Sequence, residues 1–181
     1  MLKSRLRKKI IKIRKIDYFK NKKINFDQIV NLFKKEKITK KKIGGYYPSN
    51  FEIDDLELLK KFEENNYKIS LPVIKNNFQM DFFRWSFSDP LKINKYGIPE
   101  PETKNIDYPD ILLVPLVAFD KNLNRLGYGG GYYDRLISKI SKKKKIITIG
   151  LAFTVQKINK VPVNMYDQKL DYIITNKYII K

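Results

Sequence analysis

Cysteine and histidine are both absent from the 181 residues. Without them the chain has no disulfide framework, no Cys/His zinc site, no thiol nucleophile and no imidazole acid or base. Catalysis therefore rests on carboxylates, arginine, lysine, tyrosine, backbone amides or a metal held by oxygen. A chain without thiols is compatible with any redox compartment. Long apolar runs are missing too. None approaches the roughly 20 residues of a membrane span, and no secretory core is visible near Met1. A cytoplasmic protein without a membrane partner is the expectation. Alanine occurs only at Ala118 and Ala152, and arginine supplies six of the 38 basic residues. With abundant Ile, Asn, Tyr and Lys, this composition is what drift towards AT-rich codons produces.

Acidic residues are scarce relative to basic ones: 19 Asp plus Glu against 38 Lys plus Arg leave a net charge of +19. Such an excess concentrates anions around the chain. Lysine-rich drift accounts for it without a specific nucleic-acid partner, and the runs Lys40 to Lys42 and Lys142 to Lys145 read as solvated turns. At this length, with 43% hydrophobic residues, one domain spanning 1–181 and one buried core are expected.

Glycine is also rare, yet four of the eight fall within RLGYGGGYYDR, at Gly127, Gly129, Gly130 and Gly131. Without Cβ atoms the backbone enters φ > 0 conformations and brings its N–H groups close to an anion. A helix beginning at Tyr132 aims further unpaired donors and its positive dipole end at the same place. Arg125 adds a planar, permanently charged fork. Tyr132 stands where G-x-G-x-x-G needs its third glycine, and no Lys-Ser or Lys-Thr follows as a P-loop requires. The segment reads as a phosphate loop of another kind, against the plainer possibility of a glycine-rich connector.

Segment periodicity predicts an α/β fold: a mostly parallel sheet with helices on both faces, three layers in one domain. SRLRKKIIKIRKI places Leu6, Ile10, Ile13 and Ile16 near helical spacing. Either it is a targeting-like peptide, or it is a first helix whose basic face, with Lys3 and Arg7 four apart, closes over an anionic ligand. A second helix is expected from Phe26 to Lys35 and a third over DLELLKKFEENN. Strands are expected at IGGYY, KISLPVI, FQMDFFRW, ILLVPLVAF, IITIGLAF and DYIIT. In such sheets ligands bind beyond the carboxyl ends of the strands.

The stretch from Ser86 to Pro109 carries Pro90, Pro99, Pro101 and Pro109 without a periodic pattern. It is either an ordered loop over a site, with Tyr96 presenting its ring to a flat ligand, or a stiffened crossover. Glu52 can accept two parallel hydrogen bonds from an amino-pyrimidine-like group. Equally, the acids there can serve the next helix, Asp54 and Glu57 being spaced like a capping box. Asp134 and Asp167 are oxygen ligands of the kind magnesium prefers.

Together, KSRLR, YYPSNFEID, LPVI, YGIPEP, DILLVPLVAFD with NRLGYGGGYYDR, GLAFTVQ and VPVNMYDQKLD resemble, in order, the 5-formyltetrahydrofolate cyclo-ligases, also called 5,10-methenyltetrahydrofolate synthetases. The resemblance implies an ATP- and Mg2+-dependent ligase that converts 5-formyltetrahydrofolate, possibly polyglutamylated, to 5,10-methenyltetrahydrofolate with release of ADP and phosphate. It places Lys3, Ser4, Arg5, Leu6 and Arg7, then Arg125, Leu126, Gly127, Tyr128, Gly129, Gly130, Gly131, Tyr132 and Tyr133, at ATP, with Arg125 as the catalytic residue. Asp134 and Asp167 match the magnesium-associated acids, and Tyr47, Glu52 and Tyr96 fall at substrate positions. Tyr166 stands where many members have histidine, and Ser49, Asn50 and Phe51 where small residues are common. A ligase of the same fold for another pterin or amide, or a basic nucleic-acid module, are the alternatives.

Overall fold

The computed structural model of the chain describes residues 2–20 and 23–181. Its centre is a seven-stranded sheet, built from β1 (Lys42–Gly44), β2 (Lys68–Ile74), β3 (Met80–Arg84), β6 (Ile111–Pro115), β9 (Ile147–Ala152), β10 (Tyr172–Thr175) and β11 (Ile179–Ile180). The order across the sheet is β11-β10-β9-β6-β1-β2-β3. The five inner strands run parallel, and the edge strands β3 and β11 pair antiparallel.

Side chains alternate across β6. Ile111 and Leu113 enter one core cluster and Leu112 and Val114 the other, which is why the segment reads as a continuous apolar run. On the first face lie α2 (Phe26–Lys35), through Ile29, Leu32 and Phe33, and α3 (Leu56–Glu64), through Leu58, Leu59 and Phe62. On the opposite face lies α4 (Tyr132–Ser141), through Leu136, Ile137 and Ile140. In each helix the buried residues recur at helical spacing, so one stripe is apolar and the rest solvated. The predicted three-layer α/β architecture is observed.

The first helix, α1 (Leu2–Tyr18), packs Leu6, Ile10, Ile11 and Ile13 against Val117, Ala118 and Leu126. Ile16, expected on the same face, is 63% exposed; the residues that turn inwards near it are Arg14 and Asp17. Among the described residues no helix is long and apolar enough to cross a membrane.

Four local expectations are corrected. ILLVPLVAF is not one strand: the sheet strand ends at Pro115, and β7 (Ala118–Phe119) leaves it to pair with β8 (Arg125–Leu126) in a separate hairpin. The patternless 86–109 stretch contains a second hairpin, β4 (Leu91–Ile93) with β5 (Pro99–Pro101). Asn94 closes its tip by accepting from the N–H groups of Tyr96 and Ile98. The Asp54 to Glu57 capping box does not form, because Asp54 caps Leu56 N at 3.0 Å while Glu57 faces Lys23 and Lys61. Finally, the basic runs are not simply solvated: Lys42 pairs with Asp107 and Lys144 with Asp110.

Candidate active site

Chain direction changes between β1 and β6. The path from β1 passes through α3 to β2 on one side, whereas β9 joins β6 on the other after α4. A ligand crevice forms where neighbouring parallel strands send their connections opposite ways. A cavity of about 1560 Å³ occupies this place, and Tyr46 and Tyr47 after β1 and Pro115 at the end of β6 line it. Single small-molecule sites measure roughly 300–1,000 Å³, so this one has room for two ligands.

The glycine loop forms one wall. Gly129 and Gly131 adopt φ of 107° and 67°, whereas Gly127 and Gly130 do not need the left-handed region. Only two of the four glycines are therefore required by backbone conformation. Around Gly127 a Cβ would meet nothing within 4 Å, since the residue borders open cavity. Arg7 Nε donates to the Gly127 carbonyl at 2.7 Å, and the Arg135 guanidinium donates to the Gly130 carbonyl. With its carbonyls tied to cations, the loop keeps its donors: among the described residues the N–H groups of Gly127, Tyr128, Gly129, Gly130 and Gly131 make no intramolecular hydrogen bond. Consecutive unpaired amides beside a helix N-terminus favour an anion.

Cations and acids surround this loop. Lys3 Nζ donates to Asp167 Oδ2 at 2.8 Å, and both line the cavity. Arg125 is nearly buried; Nη2 donates to Asp134 Oδ1 at 2.7 Å and Nη1 to the Gln168 carbonyl at 2.6 Å. Burial lowers the Arg125 pKa from its usual value, and the Asp134 charge works against that shift. Arg125 is thus a braced residue, with donors left for a ligand. Asp134 also accepts from Gln168 N. Among the described residues no group of three or more acids is placed to hold a metal. Asp134 and Asp167 are two oxygen donors on this lining, Asp134 held by Arg125 and Gln168 and Asp167 by Lys3 and Asn164.

Glu52 lies deep in the same cavity, 4% exposed. Its Oε2 accepts from Ser49 N at 2.7 Å and Ser49 Oγ at 3.3 Å. Desolvation raises its pKa, while Ser49, Tyr128 and the Arg14 charge pull it back. Tyr47 is half-buried on the lining, and Tyr96 reaches in from the hairpin tip, its hydroxyl 2.9 Å from that of Tyr132.

Lys3, Arg7, Tyr47, Glu52, Tyr96, Arg125, Leu126, the loop from Gly127 to Tyr133, Asp134 and Asp167 all meet at one cavity. Ser4 and Arg5 are exposed away from its lining, and Leu6 belongs to the core under α1. Two residues that sequence reasoning passed over sit behind the wall. Arg14 is completely buried; Asp55 is too, its Oδ2 accepting from Tyr46 N at 3.0 Å and its Oδ1 lacking a partner. One signal pointed to Arg14: arginine is rare here, and Arg7, Arg125 and Arg135, three of the chain's six, line this cavity.

The model of the 5-formyltetrahydrofolate cyclo-ligase family matches residues 2–176. The 5-formyltetrahydrofolate cyclo-ligase of Haemophilus influenzae is 36% identical over 137 residues, covering 72% of this chain and 73% of that protein. The Escherichia coli enzyme of the same name is 30% identical, covering 68% and 71%. The NMR structure of the Aquifex aeolicus 5,10-methenyltetrahydrofolate synthetase superposes with a TM-score of 0.80 at 29% identity, covering 100% of this chain and 93% of that one. The Mycoplasma pneumoniae synthetase superposes with a TM-score of 0.73 at 27% identity, covering 98% and 100%.

Proposed function

Because the chain belongs to the 5-formyltetrahydrofolate cyclo-ligase family, we propose that it couples ATP hydrolysis to cyclisation of 5-formyltetrahydrofolate, giving 5,10-methenyltetrahydrofolate, ADP and phosphate in the cytoplasm. The observation that carries this reading is the union, in one cavity, of five unpaired loop amides with the buried carboxylate of Glu52.

The reaction needs no histidine or cysteine. The γ-phosphoryl group passes to the formyl oxygen, which turns that oxygen into a leaving group. N10 then attacks the formyl carbon and gives up its proton to the departing phosphate, the C–O bond breaks, and the oxygen leaves with phosphate. For such a transfer the protein supplies placement and charge stabilisation. Lys3, Arg7 and the amides from Gly127 to Gly131 bind the phosphate chain. Arg125 stabilises charge on the transferred group and holds Asp134 in position. Asp134 and Asp167 would hold a magnesium ion, which would supply charge neutralisation. Glu52 accepts from the pterin amino face, Tyr47 borders the same subsite, and the Tyr96 ring covers it from the hairpin.

Lys142 and Lys143, exposed beyond the C-terminal end of α4, line the cavity with Lys139. Their charge suits the glutamate carboxylates of the folate tail, including further glutamates of a polyglutamylated substrate.

The proposal is tested with substrate labelled with 18O in the formyl group. The label should appear in released inorganic phosphate, with one ADP per methenyl product. Label lost to bulk water while product forms would refute formyl-oxygen phosphorylation.

A further inference from the structure

Arg14 is buried completely although its charge is permanent. Such burial is unfavourable unless donors are used; here Nε has no partner, and the two terminal nitrogens reach three separate segments. Nη1 donates to the Leu116 carbonyl at 3.1 Å, just past β6. Nη2 donates to the Asn50 carbonyl and to the Tyr128 hydroxyl. The guanidinium carbon also lies 5.6 Å from the centre of the Tyr128 ring.

Each acceptor matters to the cavity. Asn50 and Phe51 form a turn in which both residues take positive φ, 48° and 64°. Side chains disfavour that conformation, so an anchored carbonyl helps to keep it, and with it the approach to Glu52. Tyr128 belongs to the glycine loop. A hydroxyl has one proton to give. Tyr128 accepts from Arg14, so its own proton is left for another acceptor, and beside burial the neighbouring Glu52 charge raises its pKa.

We infer that Arg14 and Tyr128 are positioning residues that tie the glycine loop to Glu52, so that order on the ATP side and order on the folate side reinforce each other. This rests on the assignment of the glycine loop to ATP and of Glu52 to folate. Its content is a coupling between two ligands, which is reciprocal. Ordering of the loop by nucleotide sets the Tyr128 hydroxyl against Glu52. Folate bound at Glu52 then favours the same loop conformation.

The groups facing Glu52 are Arg14 from α1, Tyr128 from the loop, Tyr133 from α4, and Tyr46 and Asp55 from the connection between β1 and α3. Burial raises the pKa values of Tyr46, Tyr133 and Asp55. Arg14 and the Tyr128 hydroxyl thus favour the ionised carboxylate against its desolvation. Removing the hydroxyl moves the Glu52 pKa further up, and the charged acceptor is then available only at higher pH.

The test is calorimetric titration of 5-formyltetrahydrofolate from pH 5 to 9, with and without a non-hydrolysable ATP analogue. Wild type, Tyr128→Phe and Arg14→Met are compared, with thermal melting of each. In wild type the analogue should tighten folate binding by at least about fivefold. In Tyr128→Phe that coupling should vanish, folate affinity should fall about tenfold, and the acid limb of binding should move to higher pH while melting is retained. Arg14→Met should repeat the pattern; if it does not fold, Tyr128→Phe carries the test alone. Tyr128→Phe with wild-type coupling and a wild-type acid limb would overturn the inference. A wild-type chain that binds no folate would overturn the assignment of Glu52 as well, which separates the two failures.

Discussion

Gly127→Ala should weaken nucleotide binding without disturbing the fold. Gly127 is outside the positive-φ region, and a Cβ there would meet nothing within 4 Å. Alanine is therefore neutral to the folded chain, or stabilising by about 0.4–1 kcal/mol through the unfolded state. Bound phosphate changes this, because the new methyl occupies the space in which the phosphate chain lies. One or two amide bonds to phosphate are lost, each about 1.5–3 kcal/mol for a charged acceptor, so MgATP affinity should fall between about tenfold and about 10,000-fold. Gly129→Ala is the contrast. Its φ is 107° and its Cβ would come 3.2 Å from Arg7 Cζ, so it should lose about 1–3 kcal/mol of stability as well as nucleotide affinity. The assays are calorimetric titration with MgATP and thermal melting. Gly127→Ala that melts like wild type and binds MgATP like wild type would refute the phosphate reading of the loop.

Three further outcomes follow from the geometry. Arg125→Ala should reduce turnover at least about 100-fold and change the folate dissociation constant less than about threefold, and Arg125→Lys should not restore it because a single ammonium cannot serve both Asp134 and Gln168; steady-state kinetics showing equal turnover would contradict the assignment. Glu52→Gln should weaken folate binding by at least about tenfold with MgATP affinity unchanged, as read by titration, and loss on the nucleotide side alone would place Glu52 wrongly. Burial raises the Asp55 pKa well above the ordinary range, so its contribution to stability is full below the unfolded-state pKa and is lost as pH rises through the folded one. Asp55→Asn removes that dependence, and its melting temperature should match wild type in acid and exceed it as pH rises above the unfolded-state pKa; a variant that is less stable at high pH would refute this.

The layers of the fold were legible in sequence because burial on both faces leaves strong marks. The run at Ile111 to Pro115 and the helical stripes of α2, α3 and α4 are such marks. The β4–β5 hairpin was not legible. Lys92 and Ile93 are exposed and two of the residues of β5 are prolines, so neither periodicity nor propensity marks a strand; closure comes from Asn94 at the tip and from buried Glu100 accepting from Ile74 N. Ile16 fits helical spacing yet faces solvent, because α1 is held at that end by Arg14 rather than by an apolar stripe. The glycine loop on the cavity wall was visible in its glycines, and the basic residues beside it in Lys3 and Arg7. Arg14 was hidden for a physical reason: on a basic helix a charged residue reads as solvated, and its acceptors, Asn50, Leu116 and Tyr128, converge only in the folded chain.

The most direct measurement is the absorbance of methenyltetrahydrofolate when the purified chain meets 5-formyltetrahydrofolate, with and without MgATP. A rise that requires MgATP is the predicted result. Folded protein that binds MgATP and folate yet gives no rise would contradict the proposed reaction.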